Sequence, residues 1–251
     1  MKKMDKRIVG RAVKVDEGVT ETFFKTRCQK VLPHRYNYVI YQDSNPELAL
    51  QRDRYEKERI LPCLNIHGAS MVLDIGCGVG RWGDEIVPKL ISGRYVGIDY
   101  NEDFLKIAEE NLGSSGACAL YKGSFQEAES ILRENGYKTF DTILINGVLM
   151  YINDDDIQDC LMMVDKFMHE GSRIYIKESV GATTRFTLNN FYSEELSSRY
   201  NAIYRGVQEY NELFQTFYVA KGYHILQNDA TWKQERFNRK ETLSWFWIIE
   251  K

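Results

Sequence analysis

From residue 71 onward, apolar and polar positions alternate in short blocks. Met71–Ile75, Tyr95–Ile98, Ala117–Tyr121, Phe140–Ile145 and Arg173–Lys177 are short apolar runs, each expected as a buried strand. Between them, Arg81–Leu90, Glu102–Leu112 and Gln126–Asn135 carry helical spacing. Asn153 is expected to cap a fourth helix, with Asp154, Asp155 and Asp156 in the first turn, where the helix dipole favours negative charge. A polar stretch from 179 to 201 follows. After it come a helix from about Tyr204 to Ala220 and strands at Tyr223–Gln227 and Leu243–Glu250. Strands that alternate with helices in short units predict an α/β fold with a doubly wound, mostly parallel sheet. Ahead of the sheet, Asn45 and Pro46 start a helix that runs to Pro62. Residues 1–60 therefore read as a tail and helical cap segment. Residues 61–251 read as the α/β domain, with an insertion at about 179–204.

Composition narrows the classes. The chain has 251 residues, enough to bury a core without disulfides or a structural metal. Thirty-three basic against 36 acidic residues leave a net charge of −3, which argues against general nucleic-acid binding. No apolar run reaches the ~18 residues of a membrane span, and the N-terminus lacks the apolar stretch of a secretory signal. Five widely spaced cysteines point to free thiols in a reducing cytoplasm. Four scattered histidines offer no metal-ligand spacing, so no metal is expected. The first 30 residues hold nine Lys/Arg and four Asp/Glu; they read either as a solvated tail or as a segment that orders over a ligand. Trp245, Phe246 and Trp247 alternate faces in the last strand and read as buried in the sheet rather than as an interface.

Ligands of parallel α/β sheets bind at the carboxyl ends of the strands. The loop after Ile75 reads Asp74-Ile75-Gly76-Cys77-Gly78-Val79-Gly80. Glycines let the backbone turn tightly and approach a ligand. The register is GxGxG with Arg81 next, so the GxGxxG of dinucleotide sites fails and a nicotinamide oxidoreductase is disfavoured. Asp99 ends the next strand, 25 residues after Asp74, where a carboxylate accepts both hydroxyls of a ribose. Asn101, before Glu102 and Asp103, is the better helix cap.

VLDIGCGVGRW, YVGIDYNEDFLKIAEEN and FDTILINGVLMYI, in this order, resemble motifs of class I S-adenosylmethionine-dependent methyltransferases, over residues 60–178. The resemblance implies seven strands in the order 3-2-1-4-5-7-6, with strand seven antiparallel. It implies S-adenosylmethionine as cofactor and S-adenosylhomocysteine as product. Gly76, Gly78 and Gly80 would line the methionine end, Asp74 would sit near the amino group, Asp99 would hold the ribose hydroxyls, and Tyr100 would also contact the cofactor. Ser124 holds the position where many members place an acidic adenine contact. Phe125 would cover the ring, and Asn146 would lie beside the cofactor. Many small-molecule members carry a histidine base after strand four; this chain has Tyr151 there, a candidate catalytic residue by position, although an unperturbed pKa near 10 makes it a poor base. Glu178, after strand five, is the candidate proton acceptor or orienting carboxylate.

Acceptor choice is expected outside the shared sheet. One segment, Arg35–Arg54, holds Tyr36, Tyr38, Tyr41, Gln42, Asp43, Arg52 and Arg54, of which Tyr41 is the candidate substrate contact; the other, Thr183–Arg205, holds Arg185, Tyr192, Arg199, Tyr200 and Arg205. Long insertions in compact domains tend to be lids or binding loops, and arginine forks bind carboxylate and phosphate. The expected acceptor is a small polar molecule, anionic or sugar-bearing, methylated on O or N. The segment RYNYVIYQD resembles bacterial methyltransferases of surface-glycan precursors. Lys177-Glu178 resembles the protein α-amino methyltransferases, the alternative acceptor class. A non-catalytic cofactor-binding scaffold is the alternative outside the enzymes.

Overall fold

The computed structural model describes residues 6–113 and 115–251. A short strand, β1 (Lys6–Val9), precedes helix α1 (Glu17–Cys28), which Asp16 caps through its contact with the Gly18 N–H. Helix α2 (Pro46–Ile60) starts as expected, with the Asn45 side chain accepting from the Leu48 N–H. Then follow β2 (Met71–Ile75), α3 (Gly83–Ile86), β3 (Arg94–Asp99), α4 (Glu102–Leu112), β4 (Cys118–Lys122), α5 (Ala128–Glu134) and β5 (Phe140–Asn146). Beyond them lie α6 (Ile157–Lys166), β6 (Met168–Gly181), β7 (Phe186–Ser193), β8 (Ser198–Tyr204), α7 (Val207–Phe217), β9 (His224–Ala230) and β10 (Thr242–Glu250).

The main sheet has seven strands in the order β4-β3-β2-β5-β6-β10-β9, with β10 antiparallel to both neighbours. This is the expected 3-2-1-4-5-7-6 order. Both faces are buried, so alternate residues of each strand enter different cores. Leu73, Ile143, Ile174 and Trp247 pack with α5, α6 and α7, whereas Val72, Leu144, Tyr175 and Phe246 face α2 and α3. Trp247 and Phe246 are thus core residues, and Trp245 packs partly buried against the first core.

Four expectations change. The predicted helix over Arg81–Leu90 is only one turn of α-helix, because Pro88 removes a donor and the chain tightens into a 3-10 turn at Val87–Lys89. Asn153 caps nothing: α6 begins at Ile157, and the Asn153 side chain instead pairs with the backbone of Val15. Residues from Lys6 to Cys28 are not a solvated tail, since β1 and α1 pack on the body of the molecule. The polar stretch after β6 folds as the antiparallel hairpin β7–β8, and β1 adds to its outer edge to make a three-stranded sheet. A third apolar cluster binds this sheet to α1 and to the loops at the strand ends. It includes Phe23, Phe24, Phe104, Met150, Phe186, Tyr200 and Tyr204. The hairpin and α1 therefore roof the carboxyl edge of the main sheet.

Candidate active site

Under this roof lies a cavity of about 1090 Å³. Its floor is the β2 glycine loop. Gly76 and Gly78 adopt φ of +72° and +53°, which L-residues rarely tolerate. A Cβ on Gly78 would lie 2.8 Å from Val39, and one on Gly76 would lie 2.4 Å from Val148, so the loop is packed as a bare backbone. Gly80 also has positive φ but does not line the cavity. A Cβ there would meet Ala108 and Leu112, so this glycine serves the packing of α4.

Asp99 closes the side of the floor. One oxygen accepts the Gly78 N–H at 2.9 Å and the other accepts the Asn101 N–H at 2.8 Å. A carboxylate has about four acceptor sites, so each oxygen keeps one for a further donor. Burial pushes this carboxyl up to about 6, and the two N–H groups oppose the rise. Asp74 accepts from the Tyr95 hydroxyl at 2.6 Å, and burial pushes it up to about 7. The Tyr100 hydroxyl is buried at the cavity wall without a partner. Phe125 and Ser124 line the same end, but the Ser124 hydroxyl already donates to Glu127 at 2.9 Å. Asn146 lines the cavity and donates to Glu56 at 2.7 Å. Asn101 caps α4, as its sequence position suggested.

Opposite the floor the walls are aromatic. Phe24, Tyr41, Tyr151, Tyr200 and Tyr204 all line the cavity. The hydroxyls of Tyr151 and Tyr41 lie 3.4 Å apart, and those of Tyr200 and Tyr204 2.9 Å apart. Burial pushes the phenols of Tyr151, Tyr41 and Tyr204 up, so they are protonated at neutral pH. They offer hydroxyl donors, not bases.

Several expected site residues lie elsewhere. Glu178 is fully buried and faces away from the cavity. The strand runs on to Gly181, so side chains continue to alternate; Lys177 and Ser179 line the cavity and Glu178 points to the other face. There its Oε1 accepts the Val148 and Leu149 N–H groups at 2.9 and 2.8 Å, and its Oε2 accepts that of Met150 at 3.2 Å. Arg205 completes the same clamp by donating to the carbonyls of Leu149 and Ile152, each at 2.7 Å. It also pairs with Asp154 at 2.7 Å, and Arg185 joins Asp154 to Glu209. The acidic triplet thus serves, through Asp154, to neutralise two arginines rather than to complement a dipole. Both arginines are consumed in structure. Arg199 donates to the Asn190 carbonyl on the exposed side of the hairpin, and Tyr192 is 44% exposed there. None of these five lines the cavity.

The cavity is also lined by residues that strand-end reasoning passed over. Lys177 bonds to Glu56 at 2.8 Å, and Glu56 in turn receives Arg81 and the Tyr175 hydroxyl. Asp53 and Lys57 complete this buried network. Arg52 and, from the β9–β10 connection, Trp232, Phe237 and Arg239 form the remaining wall. Among the described residues no group of three or more His, Cys, Asp or Glu could hold a metal ion.

Residues 73–174 match the family model described as a methyltransferase domain. With the strand order, the glycine loop and Asp99, that match decides the fold. The chain has the class I S-adenosylmethionine-dependent methyltransferase fold. Among solved structures, this chain aligns with Phosphoethanolamine N-methyltransferase 1 of Haemonchus contortus, in complex with phosphoethanolamine and S-adenosylhomocysteine. The TM-score is 0.70 at 17% identity, covering 92% of this chain and 47% of that one. It aligns along its whole length with 98% of the Burkholderia thailandensis 1,6-didemethyltoxoflavin-N1-methyltransferase, with a TM-score of 0.62 and 13% identity. Phosphoethanolamine N-methyltransferase 1 of Triticum aestivum is 27% identical over 130 residues, which are 51% of this chain and 25% of that protein. The match thus spans about a quarter of that relative's length.

The cavity suits the cofactor of the fold. Asp99 keeps acceptor capacity for two hydroxyls, the glycine loop is bare where a ligand would pass, and the Tyr100 hydroxyl awaits a partner. Asp99 would hold the ribose, Phe125 the adenine, and Gly76 and Gly78 the methionine end.

Proposed function

We propose that this chain transfers the methyl group of S-adenosylmethionine to an O or N atom of a small, phosphate- or sugar-bearing acceptor. The observation that carries the reading is a single cavity that joins the Asp99–glycine end to the tyrosine-lined end. The likeness to phosphoethanolamine N-methyltransferases adds support for a phosphate-bearing molecule. The roof of α1 and the hairpin suits a small acceptor better than a polypeptide terminus.

The cofactor, when bound, supplies a methyl group already activated on a sulfonium. The protein then has to bind, orient and keep out water, and orientation alone contributes roughly 7–11 kcal/mol in favourable systems. Tyr151 and Tyr41 would orient the acceptor through their hydroxyls. Neither they nor Glu178 supplies a base at the cavity wall. This favours an acceptor atom whose lone pair is already free on arrival, such as an oxyanion or an amine free base whose methylated ammonium product gives up any proton to solvent afterwards.

The test is formation of S-adenosylhomocysteine, followed by mass spectrometry, with phosphoethanolamine and a panel of phosphorylated amines and sugars. Turnover with one of them, lost in Asp99→Ala, is expected. A folded protein that binds neither S-adenosylmethionine nor S-adenosylhomocysteine would overturn the reading. Binding of both with no transfer to any acceptor of the panel would favour the non-catalytic scaffold.

A further inference from the structure

Buried arginines in this protein come with carboxylates. Arg27 pairs with Asp43, Arg81 with Asp53 and Glu56, and Arg205 with Asp154. Arg52 is the exception. It is 5% exposed, and among the described residues no carboxylate forms an ion pair with it. Its guanidinium donates to the Phe237 carbonyl and lies 4.7 Å from the centre of the Trp232 ring. Its Nε donates to nothing. The Trp232 indole N–H, also buried, has no acceptor either. Both residues line the cavity.

Two charged neighbours act on Arg52 through their fields: Arg239 opposes its charge, and Glu195 favours it less strongly. Arg239 lies near enough for its field to act on Arg52, and it holds Glu195 in a fork at 2.8 and 3.2 Å. The carboxylate that would balance Arg52 is thereby engaged. Burial pushes the Arg52 guanidinium down to about 10, still charged at neutral pH. A buried cation with an idle donor is unfavourable unless a ligand completes it. A group with two oxygens accepts from neighbouring guanidinium nitrogens in parallel, and a further lone pair is available to the indole N–H.

We propose that Arg52 and Trp232 form an oxyanion subsite that holds a phosphate or carboxylate group of the acceptor. This deepens the methyl-transfer reading and rests on it. The subsite joins helix α2 to the β9–β10 connection and so sits apart from Asp99 and Tyr100 at the cofactor end.

The test is calorimetry on the full chain saturated with S-adenosylhomocysteine, with inorganic phosphate, sulfate and acetate as probes. At least one probe should bind, and a preference for the tetrahedral ions over acetate would identify phosphate chemistry. Arg52→Met should weaken that binding at least tenfold and Trp232→Phe at least threefold. Both should keep S-adenosylhomocysteine affinity within twofold, and Arg52→Lys should recover part of the loss. Trp232→Phe keeps the ring and carries the test if Arg52→Met does not fold. A loss of S-adenosylhomocysteine affinity in Arg52→Met would overturn the proposal, because the arginine would then hold the cofactor's own carboxylate. Probe affinities equal in wild type and variants, or no probe binding to the loaded wild type, would overturn it as well. Failure of the wild type to bind S-adenosylhomocysteine, with Arg52-dependent phosphate binding intact, would sink the methyl-transfer reading and leave the anion site standing.

Discussion

Replacing Glu178 separates a structural clamp from a catalytic carboxylate. Three backbone N–H groups converge on it from the turn that carries Tyr151. A hydrogen bond to a charged acceptor contributes roughly 1.5–3 kcal/mol, and a stranded buried donor costs roughly 1–3 kcal/mol. Glu178→Gln can keep Oε1, and with it the bonds to Val148 and Leu149. Its amide nitrogen then replaces Oε2 and faces the Met150 N–H, donor against donor. The loss is one charged bond plus one stranded donor, offset in part because burying a charge is itself unfavourable. The expected net cost is about 2 kcal/mol. Glu178→Ala strands all three donors and should cost about 4 kcal/mol or more, a large share of a typical total of ~5–15 kcal/mol. In a chain of this length, 1 kcal/mol shifts the melting temperature by about 2–4 °C. Thermal denaturation at pH 8, above the value near 7 to which burial raises this carboxyl, should therefore show Glu178→Gln about 4–8 °C lower than wild type. Turnover should fall modestly, because Tyr151 loses its support while the chemistry keeps its groups. A general base would behave in the opposite way: general acid–base catalysis contributes roughly 10²–10⁴-fold. An unchanged melting temperature with turnover reduced more than ~100-fold would refute the clamp.

Cofactor affinity should fall on acidification, because Asp99 and Asp74 must be ionised to accept donors and burial has raised them to about 6 and about 7. Isothermal titration of S-adenosylhomocysteine should show binding at least ~10-fold weaker at pH 5 than at pH 8, and a flat profile would contradict the assignment. Gly78→Ala forces a side chain onto φ of +53° and against Val39, so S-adenosylhomocysteine affinity should drop at least tenfold while the far-UV spectrum stays native. Asp154→Asn removes the shared partner of Arg185 and buried Arg205 and should destabilise by about 2 kcal/mol in urea unfolding, with cofactor affinity unchanged.

The sheet is legible because each strand–helix–strand unit is local: the first two apolar runs, the glycine turn and Asp99 all fall within about 30 residues of one another. What was illegible depends on partners distant in sequence. The strand Lys6–Val9 is four residues of mostly exposed chain, and only its pairing with β7 makes it a strand. The hairpin shows no clean alternation, since a register shift between Leu188 and Phe191 interrupts it. An apolar run that ends at Lys177 places Glu178 at the strand tip, beside the cavity; four more residues of strand turn it to the opposite face. The arginines of the insertion have the chemistry for an anion, but Asp154 and Glu209 claim Arg185, and Asp154 with two carbonyls claims Arg205. Trp232 stands in a polar connection whose position against α2 no local pattern encodes.

The roof also constrains the order of assembly. Lys6 pairs with Asn189, and Val15 with Asn153, so this segment must wait for partners made much later. The units from β2 to β5 can collapse as they emerge, since their contacts are close in sequence, whereas loop closure delays distant pairings. In a nascent chain the cavity would thus have its floor before its ceiling, and synthesis must pass β7 and β8 before the roof can form.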